Sequence, residues 1–308
     1  LDSSQHYKLG IDLNNHPHQN FFAIFGLLFG AFCWGVIWYP YRLMAEAGVS
    51  GVASSFYTYL LTIILGSLFY IRHWRGFFNQ PKTIVWLSAV AGWTNLSYVL
   101  AVINGEVMRV MLLFYLSPIW TLLLAHFWLK EKTHFTGYVA MVISLLGAFV
   151  MLYNPKSGGL PLPSNHAEWL ALSSGMGFSL TNVITRKSSH LSLAAKSFSV
   201  WVGVMVVAAL FMPFIDGGFT SPKIFTATNW LVMGMIALLL MAATLLVQYG
   251  VTRIAATRAS ILFLFELVVA AIASYYLANE QMALNEWIGG ALIVAAAVYA
   301  ASQQSEAA

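Results

Sequence analysis

The chain has 308 residues, of which 59% are hydrophobic and 8% charged, against about 25% charged in an average soluble domain. Too few polar side chains are available to cover a soluble globule of this size, so composition alone assigns the chain to a lipid bilayer. The net charge of +4 comes without a basic patch interleaved with aromatics, which argues against nucleic acid as a partner. A single cysteine, Cys33, excludes an intrachain disulfide and a thiolate metal cluster.

Residues 1–19 are polar and carry His6, His16 and His18. With no apolar core or small-residue cleavage site they are expected to be a cytoplasmic tail or a non-native remnant, not a signal peptide. Crossing the hydrocarbon core takes about 20 mostly apolar residues in a helix. Stretches of that kind are predicted at 21–41, 50–71, 83–105, 110–129 and 135–155, then at 169–185, 197–215, 229–252, 259–279 and 287–302. The fold class is therefore an all-α membrane protein of ten transmembrane helices. Span 6 is short, and Glu266 is the one charged residue within any predicted span.

Organisation follows from the loops. The first five-helix unit is expected over 20–155, an external Pro- and Gly-containing linker over 156–166, a second unit over 167–303 and a short tail over 304–308. Eleven of the 15 Lys and Arg residues fall on the side that holds the amino terminus, and Arg42, Arg109, Lys156 and Lys223 fall on the other. By the positive-inside rule both termini are expected in the cytoplasm.

The halves align at an offset of 149 residues. Arg109-Val110-Met111-Leu112-Leu113-Phe114 then faces Arg258-Ala259-Ser260-Ile261-Leu262-Phe263, and Glu131 faces Glu280. Because each half has an odd number of spans, the second enters the membrane inverted. Inverted repeats place a substrate site near the midplane around a central cavity.

Several motifs carry a family likeness. Trp34-Gly35 in span 1 precedes Arg42; Leu116-Ser117-Pro118 in span 4 precedes Leu129-Lys130-Glu131; Phe265-Glu266-Leu267 in span 9 precedes Leu277-Ala278-Asn279-Glu280. Over roughly residues 20–303 the chain resembles the ten-helix EamA-type branch of the drug/metabolite transporter superfamily, and within it the YddG-type amino-acid exporters. That resemblance implies a multi-pass exporter of the bacterial inner membrane, working on a small molecule. Span 9 departs from the pattern in lacking the proline after its glutamate, which leaves a shared helix kink there unsupported.

Candidate site residues follow from depth and chemistry. A carboxylate inside a span marks a functional site by default, so Glu266 is expected to anchor a substrate ammonium or accept a proton. A protonated structural acid is the plain alternative. Trp34, Trp38, Tyr98 and Tyr115, with Trp93 and Trp120, lie too deep for an interfacial belt and are candidates to line an aromatic cavity. Phe263 shares the face of Glu266, and Asn95 lies beside Tyr98. Span 6 offers Ser174, Phe178, Asn182 and Thr185, and span 8 offers Met241, Thr244 and Gln248; such polar side chains also serve simply to join helices. Pro118 frees the carbonyl of Phe114 and is a candidate hinge. Arg109 and Arg258, with Glu131 and Glu280, are candidate gates, or else solvated flanks.

The absence of Lys and Arg inside the predicted spans disfavours phosphate-bearing cargo. Neutral, zwitterionic or weakly cationic cargo remains, with amino acids of apolar or aromatic side chain fitting best. Protons are a candidate coupling ion. The sequence lacks His-Glu-x-x-His, Gly-x-Ser-x-Gly and paired intramembrane acids, so no enzyme, metal or cofactor is expected, and a channel would leave the inverted halves unexplained. The expected mechanism is alternating access, with spans 1, 3, 4, 6, 8 and 9 around the cavity.

Overall fold

The computed structural model describes residues 17–70, 81–105, 107–153, 163, 165–277 and 283–302. Within them the chain is helical, with no strand. The helices are α1 (Pro17–Glu46), α2 (Gly51–Tyr70), α3 (Pro81–Asn104), α4 (Val107–Phe114), α5 (Ser117–Leu124), α6 (Phe135–Leu152), α7 (His166–Lys187), α8 (Leu193–Ile215), α9 (Ala227–Arg253), α10 (Ala256–Phe263), α11 (Phe265–Leu277) and α12 (Leu284–Ser302). A π-helical turn, Ala125–Leu129, prolongs α5. The ten spans are all present: α4 and α5 are the two parts of span 4, and α10 and α11 the two parts of span 9. Pro17–Gln19, expected in the tail, already form the first turn of α1, and the rest of the tail, most of the 156–166 linker and residues 304–308 lie outside the described residues.

The helices fit a bilayer. Six runs are long and apolar enough to cross one: α1, α2, α3, α8, α9 and Ala256–Leu277. Large apolar side chains face outward, Phe214 of α8 and Phe135 of the shorter α6 being more than 80% exposed. A water-soluble surface rarely carries so many; against lipid they need no cover. Helix α7 is the exception. It carries Ser173, Ser174, Ser179, Thr181, Asn182 and Thr185 and falls short of the apolar runs. Its position explains this: α7 packs against α3, α4, α5 and α9. A helix shielded from lipid on several sides need not be apolar all round.

The two halves exchange their first helices. Helix α1 packs on α9, α10 and α11 of the second half, while α7 packs on α3, α4 and α5 of the first. Helices α6 and α12 pair, as do α2 and α8. Small residues set these distances. Gly26 and Gly30 lie against Leu246 and Val247 of α9, and a Cβ on Gly203 of α8 would overlap the Ser88 carbonyl oxygen of α3. Close approach of this kind is how helices gain packing energy in lipid, where the hydrophobic effect between them is absent.

Both central spans break at the same repeat position, after Phe114 and after Phe263. In span 4 the cause is Pro118, which has no N–H for the Phe114 carbonyl. Instead Leu116 N–H donates to Leu113 (3.4 Å) and Ile119 N–H to Leu116 (3.0 Å). Span 9 has Leu267 where span 4 has Pro118, so the kink left unsupported by the sequence is present without a proline. Leu267 N–H donates to Leu264 (3.1 Å) and Leu264 N–H to Ile261 (3.2 Å), bonds of the tighter 3₁₀ type.

Candidate functional site

The breaks aim aromatic rings at the middle of the bundle. Phe178 of α7 is the hub. Its ring centroid lies 5.2 Å from Phe263, 5.6 Å from Phe114 and 5.9 Å from Trp34. Trp34 also meets Phe263 at 5.7 Å, and Phe114 meets Tyr98 at 5.0 Å and Tyr115 at 5.3 Å. These separations suit edge-to-face and tilted ring pairs. Spans 1, 3, 4, 6 and 9 all contribute.

Glu266 stands beside this cluster, in the first turn of α11. Tyr115 is its hydrogen-bond partner, and Tyr98 lies within its electrostatic reach. No Lys or Arg among the described residues acts on it. It is half-buried and keeps accessible surface, as do Trp34, Tyr98 and Phe178. On its backbone side α1 comes close because Gly35 has no side chain: a Cβ there would sit 2.9 Å from the Glu266 carbonyl oxygen. The arrangement offers one carboxylate and several π faces, a combination suited to an organic cation or ammonium group with an apolar body.

A second equivalence links α1 to α7, at an offset of 144 residues. Trp34 corresponds to Phe178, and each meets the phenylalanine that ends a half-helix, Phe263 and Phe114 respectively. Gly35 corresponds to Ser179, which donates to the Ser117 carbonyl at 2.7 Å; Ser117 is the repeat partner of Glu266. The same offset matches Arg42 with Arg186.

Of the residues expected at the site, the structure gathers Trp34, Tyr98, Tyr115, Phe178, Phe263 and Glu266. Phe114 joins them, although its sequence context looks like any apolar run. Asn95 is half-buried three residues before Tyr98. Trp38 packs edge-on against Tyr39 and its buried Nε1 has no partner. Asn182 lies one turn beyond Phe178 with Nδ2 buried and unpartnered, and the same is true of Gln248 Oε1 on α9; Thr244 is buried one turn before it. Trp93 corrects the expectation of a deep lining role: it is 39% exposed and turned outward against Phe211. Pro118 is buried at the span 4 break.

Charged residues differ most from the expectation. Arg109 belongs to α4, with its side chain outside the described residues, and Glu280 also lies outside them. Arg258 is half-buried in α10. Lys196, expected in a loop, sits in the first turn of α8 and is 1% exposed, with Nζ donating to Thr252 Oγ1. Arg186, not expected to matter, bridges two elements. Its Nε donates to Glu131 Oε1 at 2.8 Å, and its Nη1 donates to the Thr252 carbonyl at 2.7 Å. The other carboxylate oxygen of Glu131 accepts from Ala256 N–H at 3.0 Å, capping α10. Glu131 was a candidate gate from the repeat, but only contact geometry supplies its partners Arg186 and Ala256.

A lipid-facing bundle of two interleaved halves, with one carboxylate at its aromatic centre, is the layout of a membrane transporter. Residues 21–153 and 166–302 both match the EamA-like transporter family, and the chain belongs to that family. An uncharacterized transporter of Archaeoglobus fulgidus is 23% identical over 227 residues, 72% of this chain and 77% of that one. An uncharacterized transporter of Pseudomonas aeruginosa is 25% identical over 160 residues, half of each chain. One solved crystal structure superposes with a TM-score of 0.73 at 15% identity, covering 90% of this chain and 96% of the other, which establishes the likeness of fold.

Proposed function

We propose that this family member carries amino acids with apolar or aromatic side chains out of the cytoplasm by alternating access, across a bacterial inner membrane with both termini cytoplasmic. The observation that carries the reading is Glu266, a carboxylate with accessible surface whose hydrogen-bond partner Tyr115 meets Phe114 of the ring cluster built on Phe178. A cargo ammonium would pair with Glu266, while the side chain would lie on the ring faces. The unpartnered Asn182 Nδ2 is a donor for the cargo carboxylate, one turn of α7 away. Protons are the candidate coupling ion through the same glutamate. Other neutral or weakly cationic metabolites or drugs are the second reading; a weakly cationic cargo is favoured because no Lys or Arg among the described residues acts on Glu266.

Counterflow into proteoliposomes tests this, with labelled phenylalanine, tryptophan, threonine, methionine, a nucleotide sugar and a quaternary ammonium drug. Saturable exchange of the amino acids is expected. Glu266→Gln is expected to lower it about 10- to 100-fold, the worth of a charge-assisted hydrogen bond of about 1.5–3 kcal/mol. Exchange of the drug alone would replace the amino-acid reading with the second one. Exchange of the nucleotide sugar would sink both.

A further inference from the structure

The basic face of the bundle, where Lys130, Lys132, Arg186, Lys187, Lys196 and Arg253 lie, is closed by one connected set of polar bonds. Glu131 ends span 4, in the first half. It accepts from Arg186 at the end of span 6 and from Ala256 at the start of span 9, both in the second half. Arg186 holds the Thr252 carbonyl at the end of span 8. Thr252 Oγ1 accepts from Lys196 of span 7 and donates to the Gln248 carbonyl at 2.6 Å. Thr133 and Thr257 hydroxyls, 3.3 Å apart, add a further link between the halves. Helices of spans 6 and 9 thus converge on the Glu131 carboxylate at the end of span 4, and span 8 joins them through Arg186. Thr185, with its Oγ1 buried and unpartnered, directly precedes Arg186 on α7; one turn deeper is the unpartnered Asn182 Nδ2, and next the Phe178 ring.

The opposite face is built differently. Arg42, which matches Arg186 at the 144-residue offset, leaves the other half alone and pairs within its own helix with Glu46 at 3.2 Å, both groups well exposed. Peripheral bonds exist there, from Ser50 to Asp216 (2.6 Å) and Tyr57 to the Thr220 carbonyl (2.5 Å), but they join spans 2 and 7 rather than the central helices. Two arginines at equivalent places therefore do different things: one bridges the halves, the other does not.

We propose that Glu131 and Arg186 form the gate of the basic face, and that the structure is the state in which this gate is shut. Arg186 is the gating side chain, because its planar fork holds Glu131 and the Thr252 carbonyl together. Glu131 is the hinge point, because its second oxygen fixes the start of α10 and so of the half-helix that ends at Phe263. Opening requires the pair to part. The inference rests on the alternating-access reading, but its test needs no cargo.

The test is thiol labelling in lipid nanodiscs on a Cys33→Ala background. Thr185→Cys places a reporter at a buried position beside the gating arginine, and Thr62→Cys, buried on α2, reports loss of packing. A membrane-impermeant maleimide should label the Thr185 reporter slowly when the gate is intact. Glu131→Gln keeps the cap on Ala256 but loses the charge, and Arg186→Gln removes the fork; each should speed labelling by about tenfold or more, the scale of a conformational coupling of 5–150-fold. Arg186→Lys keeps charge without the fork and should fall between. The double variant should label no faster than the faster single one, since both remove one interaction. The Thr62 reporter should stay protected throughout. Unchanged labelling in the single variants would overturn the gate. So would multiplicative effects in the double variant, or loss of protection at Thr62, which would mean general loosening. A protein that gates in this way yet exchanges no amino acid would refute the cargo while keeping the gate.

Discussion

A carboxylate set among aromatic rings is neutralised by a proton or by a cation, and Glu266 has Tyr115 as the neighbour that distinguishes its states. The tyrosine hydroxyl donates to an ionised carboxylate, and a bound ammonium shares that carboxylate with it. Removing one neutral donor costs about 1 kcal/mol. Tyr115→Phe is therefore expected to weaken cargo half-saturation about fivefold, well short of the effect of Glu266→Gln, which counterflow over a concentration series would show. Much of this centre could be read from the sequence, because a glutamate, two deep tyrosines and Trp34 are conspicuous in an apolar run. For Phe114 the one signal was its repeat match with Phe263, since composition gives depth but not which side of a helix faces inward. Arg186 and Lys196 were hidden for a related reason. Their partners, Glu131 and Thr252, lie 55 and 56 residues away in the chain, and no local pattern encodes such a meeting.

Among the helices, the paired breaks in spans 4 and 9 separate what proline does from what packing does. Span 9 breaks with a leucine at the position of Pro118, so tertiary contacts suffice to hold such a break. Pro118→Ala is accordingly expected to fold and to keep exchange within about threefold of the parent, whereas an ordinary proline hinge would lose far more. Glycines are the less forgiving positions. Gly203→Val would drive a side chain into the Ser88 backbone of α3, where no rotamer change gives relief. Little folded protein should be recovered in detergent, by size-exclusion chromatography, while Gly234→Ala, at a site with nothing nearby, should behave as the parent. The spans themselves were legible because a bilayer imposes their length. Span 6 was the faintest, since its polarity reflects its neighbours rather than lipid.

For the molecule as a whole, the exchange of α1 and α7 means that neither half has a complete core. Helix α1 leaves its own half for α9 and α11, and α7 fills the place among α3, α4 and α5. Residues 1–155 and 156–308 made separately are expected to aggregate or be degraded. Made together they should assemble and recover exchange, which pull-down of one half by a tag on the other would detect. Two independently folding halves would instead survive alone. The inverted repeat was visible from span count and from the Arg109–Phe114 match, but the exchange was not. Four identities in 23 pairs say that two segments are alike, and nothing about which partners they choose.

The polar character of α7 also bears on how the chain is made. A helix with five Ser or Thr residues and an asparagine enters lipid reluctantly, because each buried polar group needs a partner there. The ribosome releases α3, α4 and α5 before α7 appears. By then those three helices can already offer the Thr94 and Ser117 carbonyls that Ser174 and Ser179 take up at 2.8 and 2.7 Å. The order of synthesis thus supplies a prepared berth, and the least greasy helix is inserted as a guest of the half that precedes it.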